Sequence, residues 1–224
     1  GRAGPVLPLE QQVRGASAMP DGRLVLATGR DDVLICDPAR PHDSPAALPR
    51  HSGSVSAVAC SPQGVLASTG SDRKLCLSQP SGSQRTISLT FGHPLDVAWN
   101  EDGSLLAVVS DQGQIALFDR QGEWLKTLAV HEHNALRVSF DEAGALVTAG
   151  RDGCIRWWDP ESGEPGNVAV LLPGGGWSLF PSGGEWLAGS DGAADAIVYA
   201  CEQADGSVEL LSQEEFLRET TAGQ

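Results

Sequence analysis

Apolar residues in this chain come in short runs broken by turn residues, and the breaks recur. One module reads as an apolar run, a Gly/Ser-Asp turn, then a second apolar run. Its copies are GRLVLATGRDD from Gly22, GVLASTGSDRK from Gly64, GSLLAVVSDQG from Gly103, GALVTAGRDGC from Gly144 and the looser GEWLAGSDGAA from Gly184. Their first glycines lie 42, 39, 41 and 40 residues apart. The turn aspartates Asp31, Asp72, Asp111, Asp152 and Asp191 recur at 41, 39, 41 and 39. Val, Ile, Leu and aromatic residues fill the runs, which predicts strands rather than helices. In the fourth unit the strands fall at 135–140, 145–149, 154–158 and 167–172. The triplets Pro62-Gln63-Gly64, Glu101-Asp102-Gly103 and Glu142-Ala143-Gly144 predict hairpin turns, in which glycine takes a positive φ.

Four strands per repeat of about 40 residues match the blade of a β-propeller. A lone blade cannot bury both faces, so the blades must stack on neighbours. The expected class is all-β, with five four-stranded antiparallel blades over 13–211. Residues 1–12 carry Pro5-Val6-Leu7-Pro8-Leu9, read as the last strand of a closing or preceding blade. Ser212-Gln213-Glu214-Glu215 reads as a capping box, which predicts a short helix and tail over 212–224.

The fourth unit ends RDGCIRWWDPESG, and its Trp158-Asp159 resembles the closing dipeptide of a WD40 repeat. Counting back, His131, Thr148, Asp152 and Trp158 stand where that family carries a hydrogen-bonded His–Ser/Thr–Asp–Trp tetrad. The second unit resembles it through His51, Ser68 and Asp72, with Ser78 in the Trp place. The third has Val108 for the hydroxyl and Gln112 for the aspartate, with Asp111 one residue early and His93 after Gly92. The first ends in Cys36-Asp37, and the fifth keeps only Tyr199 near the Trp place. The resemblance covers about residues 13–211. The family usually builds seven or eight blades, so five imply either an unusually small ring or a piece of a larger one. A first residue of Gly1 instead of Met points to the second.

The formal charge of −14 works against binding phosphate backbones or anionic membranes. No apolar stretch approaches the roughly 20 residues that cross a bilayer. Cys36, Cys60, Cys76, Cys154 and Cys201 are scattered singly without CxxC spacing. They are read as small apolar side chains of a cytoplasmic protein.

Candidate chemistry is thin. His131-Glu132-His133 could touch a metal, but no third or fourth ligand stands at suitable spacing, so no metal or other cofactor is expected. No G-x-S-x-G elbow or phosphate loop is present. The recurring aspartates are read as turn-formers and tetrad members, not as paired acids. Trp99, Phe140 and Cys60 occupy equivalent core positions, while Trp177 and Trp186 are candidate exposed anchors. The resemblance implies a non-catalytic interaction scaffold or sensor module, part of a larger signalling or effector protein. Its partners would be other proteins or peptides, remaining blades, or an upstream domain. Carried over by position, the contacts would be Arg30, Ser54, Ser56, Ser71, Asn134, Leu136, Arg151 and Ser190. A small-molecule or glycan-binding propeller, a propeller hydrolase, and a purely structural subunit stay open as alternatives.

Overall fold

The computed structural model describes residues 12–49, 51–129, 131, 134–172, 175–182, 187–190, 193, 198–202 and 208–212. Two compact units emerge: Gly1–Asp152 with Trp157–Glu164, and Gly153–Arg156 with Pro165–Gln224.

The first unit contains three complete antiparallel four-stranded sheets in simple up-and-down order. Blade 1 is β1 (Val13–Ala18), β2 (Leu24–Thr28), β3 (Asp32–Cys36) and β4 (Ala46–Pro49). Blade 2 is β5 (Val55–Cys60), β6 (Leu66–Gly70), β7 (Lys74–Ser78) and β8 (Gln84–Ser88). Blade 3 is β9 (Pro94–Trp99), β10 (Leu105–Ser110), β11 (Gln114–Asp119) and β12 (Trp124–Ala129). A fourth blade begins with the paired strands β13 (Ala135–Phe140) and β14 (Leu146–Gly150). Trp157 and Trp158, at the end of β15 (Cys154–Trp158), belong to this unit as well.

Blade 3 explains why these strands read as nearly unbroken apolar runs. Side chains alternate across a strand. Leu106 and Val108 of β10, with Ala116 and Phe118 of β11, pack toward blade 2 against Leu75, Leu77 and Ala57. The intervening Ala107, Val109, Ile115 and Leu117 pack toward the fourth blade against Ala135, Val138, Leu146 and Trp158. Both faces are covered, so no position on these strands is spared for water. Blades 1 and 2 join through Val25, Ala27, Val33, Val55, Val58 and Leu66. Trp99, Phe140 and Cys60 take the equivalent inner-strand places expected of them, each packed against a core cluster.

The innermost strands β1, β5, β9 and β13 neighbour one another in sequence order. Side chains tie them: the Cys60 N–H donates to Ser17 Oγ (3.1 Å) and the Val138 N–H to Asp96 Oδ2 (3.1 Å). At the outer edge a cation reaches the next blade. Arg85 of β8 donates to Gln121 O (3.0 Å) and Glu123 Oε1 (2.6 Å), and Lys126 of β12 donates to Glu161 O. Charged residues on these outer strands also discourage edge-to-edge pairing.

In the second unit β16 (Pro165–Leu171) pairs with β17 (Trp177–Phe180), and β17 with β18 (Ala188–Gly189), all antiparallel. β19 (Val198–Glu202) and β20 (Val208–Ser212) form a hairpin. Ser212 closes β20, an extended backbone that an N-cap also adopts. The expected helix beyond it, the strand at Pro5–Leu9, and Trp186 lie outside the described residues.

Among the described residues Thr69 Oγ1, Trp99 Nε1 and Ser178 Oγ are buried without a hydrogen-bond partner. Thr69 of β6 is fully buried and its Oγ1 makes no hydrogen bond among the described residues. Replacing a stranded hydroxyl by a methyl of like shape removes a desolvation cost. Thr69→Val is expected to stabilise the protein by about 1 kcal/mol, read from urea unfolding. A destabilised variant would show that the hydroxyl is satisfied.

Candidate functional site

The second and third strands of each first-unit blade are joined by a turn at the end where the innermost strand begins. Equivalent backbone bonds define this end. The N–H of Gly29, Ser71, Asp111 and Arg151 donates to the carbonyl of Gln12, Ser54, His93 and Asn134 respectively, at 2.9–3.1 Å. In the second unit the Ser190 N–H donates to Trp177 O at 2.9 Å. Just beyond each anchor in the first unit, the inner strand carries a bulge. The extra residues are Arg14, Ser56, Leu95 and Leu136. Bulges re-aim side chains at sheet ends, and here all four stand at one end of their strands.

The expected contact residues are thereby located. Ser56 and Leu136 are bulge residues, and Leu136 is 38% exposed. Ser54 and Ser71 meet across the turn (Oγ–Oγ 3.4 Å), and Arg14 Nη1 donates to Ser54 Oγ (3.4 Å). Asn134 and Arg151 form the same pair in the fourth blade, with Arg151 exposed. Ser190 belongs to the second unit, where its Oγ accepts the N–H of Trp177, a 42% exposed residue (3.0 Å). Arg30 is displaced from its expected place. Gly29 holds the position of Ser71 and Arg151, whereas Arg30 falls in register with Asp72 and Asp152. Aligning on the aspartates put it one residue off. Arg14, Leu95, His93 and Asp111 stand at the same strand ends and were not among the expected residues. Aligning the strand ends, not the aspartates, would have found them.

The tetrads sit behind this rim. In the fourth blade Trp158 Nε1–H donates to Thr148 Oγ1 (3.1 Å), whose hydroxyl meets His131 Nε2 (3.0 Å). His131 Nδ1 stands 3.0 Å from both Asp152 oxygens. In blade 2, His51 Nδ1 meets Asp72 Oδ1 (2.9 Å) and Nε2 meets Ser68 Oγ (3.0 Å). The other Asp72 oxygen accepts the N–H of Ser52 (2.9 Å), which ties down the entry loop.

Comparison with known proteins agrees. Residues 43–77, 84–119 and 122–159 match the WD40 family, described as WD domain, G-beta repeat. The chain belongs to the WD40 repeat family. It is 28% identical over 191 residues to "Protein hir1" of Emericella nidulans, covering 70% of this chain and 18% of that protein. It is 30% identical over 130 residues to "Nuclear distribution protein nudF" of Aspergillus niger, covering 55% of this chain and 29% of that protein. The chain thus spans less than a third of either relative.

Seen as WD40 blades, the imperfect copies differ for a steric reason. The imidazole needs a glycine at the end of the second strand. A Cβ on Gly70 would lie 2.6 Å from His51 Nδ1, and one on Gly150 would lie 2.6 Å from Asp152 Oδ1 and strike the His131 ring. Blades 1 and 3 have Thr28 and Ser110 in that register. Their hydroxyls close the turn themselves, each accepting the N–H two residues on (both 3.3 Å). Blade 3 then fills the histidine place with Leu89, whose N–H makes the same bond to the preceding blade as those of His51 and His131. Leu89, Val108 and Phe118 pack together in one cluster. Hydrocarbon has replaced the polar network as a unit, so none of these three places carries an unsatisfied group. His93 is not the tetrad histidine. It is exposed, and its backbone N–H donates to Asp111 Oδ1 (2.8 Å), so the early aspartate still ties down the entry loop.

Burial pulls the His51 pKa down, but its bonds to Cys76 and Asp72 and their charges outweigh this and raise it above 6.5. Burial likewise pushes Asp72 up. The N–H groups of Ser52 and Lys74 and the His51 imidazole outweigh that and hold its carboxyl below 3.8. The His51 contribution is full below pH 6.5 and lost as pH rises through its raised value. The Asp72 contribution is present above pH 3.8 and lost as pH falls through its lowered value.

Two outcomes follow. The melting temperature should fall as pH rises from about 6 to about 9, and His51→Leu should flatten that slope. An unchanged slope in the variant would assign it elsewhere. Gly70→Ala should cost roughly 1–3 kcal/mol, and clearly less in a His51→Leu background, as measured by a double-mutant cycle. Additive costs would refute the steric coupling.

Proposed function

We propose that this chain is a non-catalytic interaction module that holds a segment of another protein, or of the remainder of its own, against the turn-and-bulge end of its blades. One observation carries the reading. Most aspartates at this end are committed to internal bonds: Asp72 and Asp152 to histidines, Asp111 to the His93 N–H, and Asp96 to the Val138 N–H, which leaves Asp31 and Asp32 of the blade 1 turn. The groups left toward solvent, such as Ser71, Leu136 and Arg151, suit contact with a partner and stand on ordered strand ends. Rigid presentation reduces the entropy lost on binding. Ser54, Ser56, Asn134 and the newly found Arg14 extend the same surface. The WD40 relatives are consistent with a scaffold role. Among the described residues no helix is long and apolar enough to cross a membrane.

The test is affinity capture from the source cell with the chain immobilised, followed by Ser71→Glu/Arg151→Glu. Partners recovered by the parent should be reduced at least tenfold on the double variant, with the melting curve unchanged. Equal recovery would remove this end of the blades from the binding reading.

A further inference from the structure

The acidity of this protein is unevenly placed. At the far end of the blades the hairpin turns are closed by Asp21, Asp37, Asp102, Asp119, Asp141 and Asp159, each accepting the N–H two residues on. Negative charge at that end is a by-product of turn formation. At the rim the aspartates named above are internally bonded, Asp31 and Asp32 of the blade 1 turn excepted, and arginines face outward. Arg14, Arg30, Arg73, Arg137 and Arg151 are all exposed there. Among the described residues none has a carboxylate within ion-pair distance, whereas Arg23, Arg40 and Arg85 at the far end each do. Between the inner strands lies a groove of about 500 Å³, lined by Arg14, Ser56, Leu95, Asp96 and Arg137 among others. Arg137 Nη1 donates to Leu136 O (2.8 Å), which fixes the guanidinium and leaves donors unused. Asp96, half-buried in the same groove, accepts the Val138 N–H; burial raises its pKa against the opposing pull of the Val138 and Val97 N–H groups and the Arg137 charge.

Arg73 adds an independent observation. It has φ +57°, while Gly113 and Gly153, in its register, have φ +75° and +77°. An arginine in the left-handed region is strained where glycine is not. Strain kept at a surface position suggests a use for the side chain.

Resting on the interaction reading above, we propose that this groove and rim take a short acidic segment of a partner protein, its Asp/Glu carboxylates meeting Arg14, Arg73 and Arg137. Arginine forks pair with carboxylates through two parallel hydrogen bonds. The net charge of −14 repels an acidic body at a distance. At physiological salt screening acts over about 8 Å, so a short segment feels the local arginines while a broadly acidic surface is still disfavoured.

The probes are four fluorescent 12-residue peptides alternating Ser with Glu, Gln, Lys or phosphoserine, titrated by anisotropy at 0.15 M NaCl. The Glu peptide should bind, and the Gln and Lys peptides at least tenfold more weakly. Arg14→Gln/Arg137→Gln should weaken the Glu peptide at least tenfold, and Arg23→Gln at the far end should leave it unchanged. Arg73→Gly should raise the melting temperature and weaken the peptide several-fold. Equal binding of Glu and Gln peptides, or indifference to Arg14 and Arg137, would overturn the proposal. So would binding of a phosphoserine peptide without binding of the Glu peptide. If the charge assignment fails while capture still depends on Ser71 and Arg151, only the acidic partner is lost. If capture fails as well, the interaction reading goes with it.

Discussion

A four-stranded sheet with two apolar faces is unstable in water until something covers both. Everything else in the first unit follows from that. The runs 105–109 of β10 and 115–118 of β11 are apolar throughout because Leu106 and Val108 serve one interface and Ala107 and Val109 the other. Fully burying one such side chain is worth roughly 1.5–3 kcal/mol, so each interface outweighs any single polar contact in the protein. Stacking in turn brings the inner strands side by side and sets their bulged ends at one rim. The polar rim is thus a consequence of apolar packing.

Within that frame the blades solve one local problem in two ways. The loop entering a blade must be fastened to its second and third strands. Blade 2 and the fourth blade use an imidazole against a carboxylate and a hydroxyl, with glycine leaving room for the ring. Blade 3 uses Leu89 against Val108 and Phe118, with Ser110 closing the turn. A polar network must be satisfied throughout or removed throughout, and no half-converted version occurs in blade 3. Blade 2 shows the tolerated limit. Ser78 stands in the tryptophan place, and the Ser68 hydroxyl still has His51.

Much of this was legible in the residues. Spacing of about 40 gave the blade, and apolar runs between turn residues placed the strands: β13 and β15 fall where the pattern put them, β14 lies one residue later, and β16 begins two residues earlier. The tetrads of His51 and His131 could be counted back from their turns. The rim of turns and bulges was harder. Alignment on the aspartates put Arg30 one residue off, and a bulge leaves no mark in composition, so the re-aimed Arg14 and Leu95 were not singled out. The exchange of His for Leu89 was hidden too, because the entry loop of blade 3 has one more residue between its anchor and β9 than the loop of blade 2. His93, beside a glycine, drew attention instead.

The glycine at the end of the second strand gives the repeats a direction of change. A blade that has lost its histidine no longer needs that glycine, and a serine such as Ser110 can settle there and close the turn. Once it has, a returning imidazole would meet a Cβ in its path. Two substitutions would then have to be reversed together. Loss of the polar fastening is a single step and its recovery is not, so a protein of this kind can drift toward dry blades more easily than back.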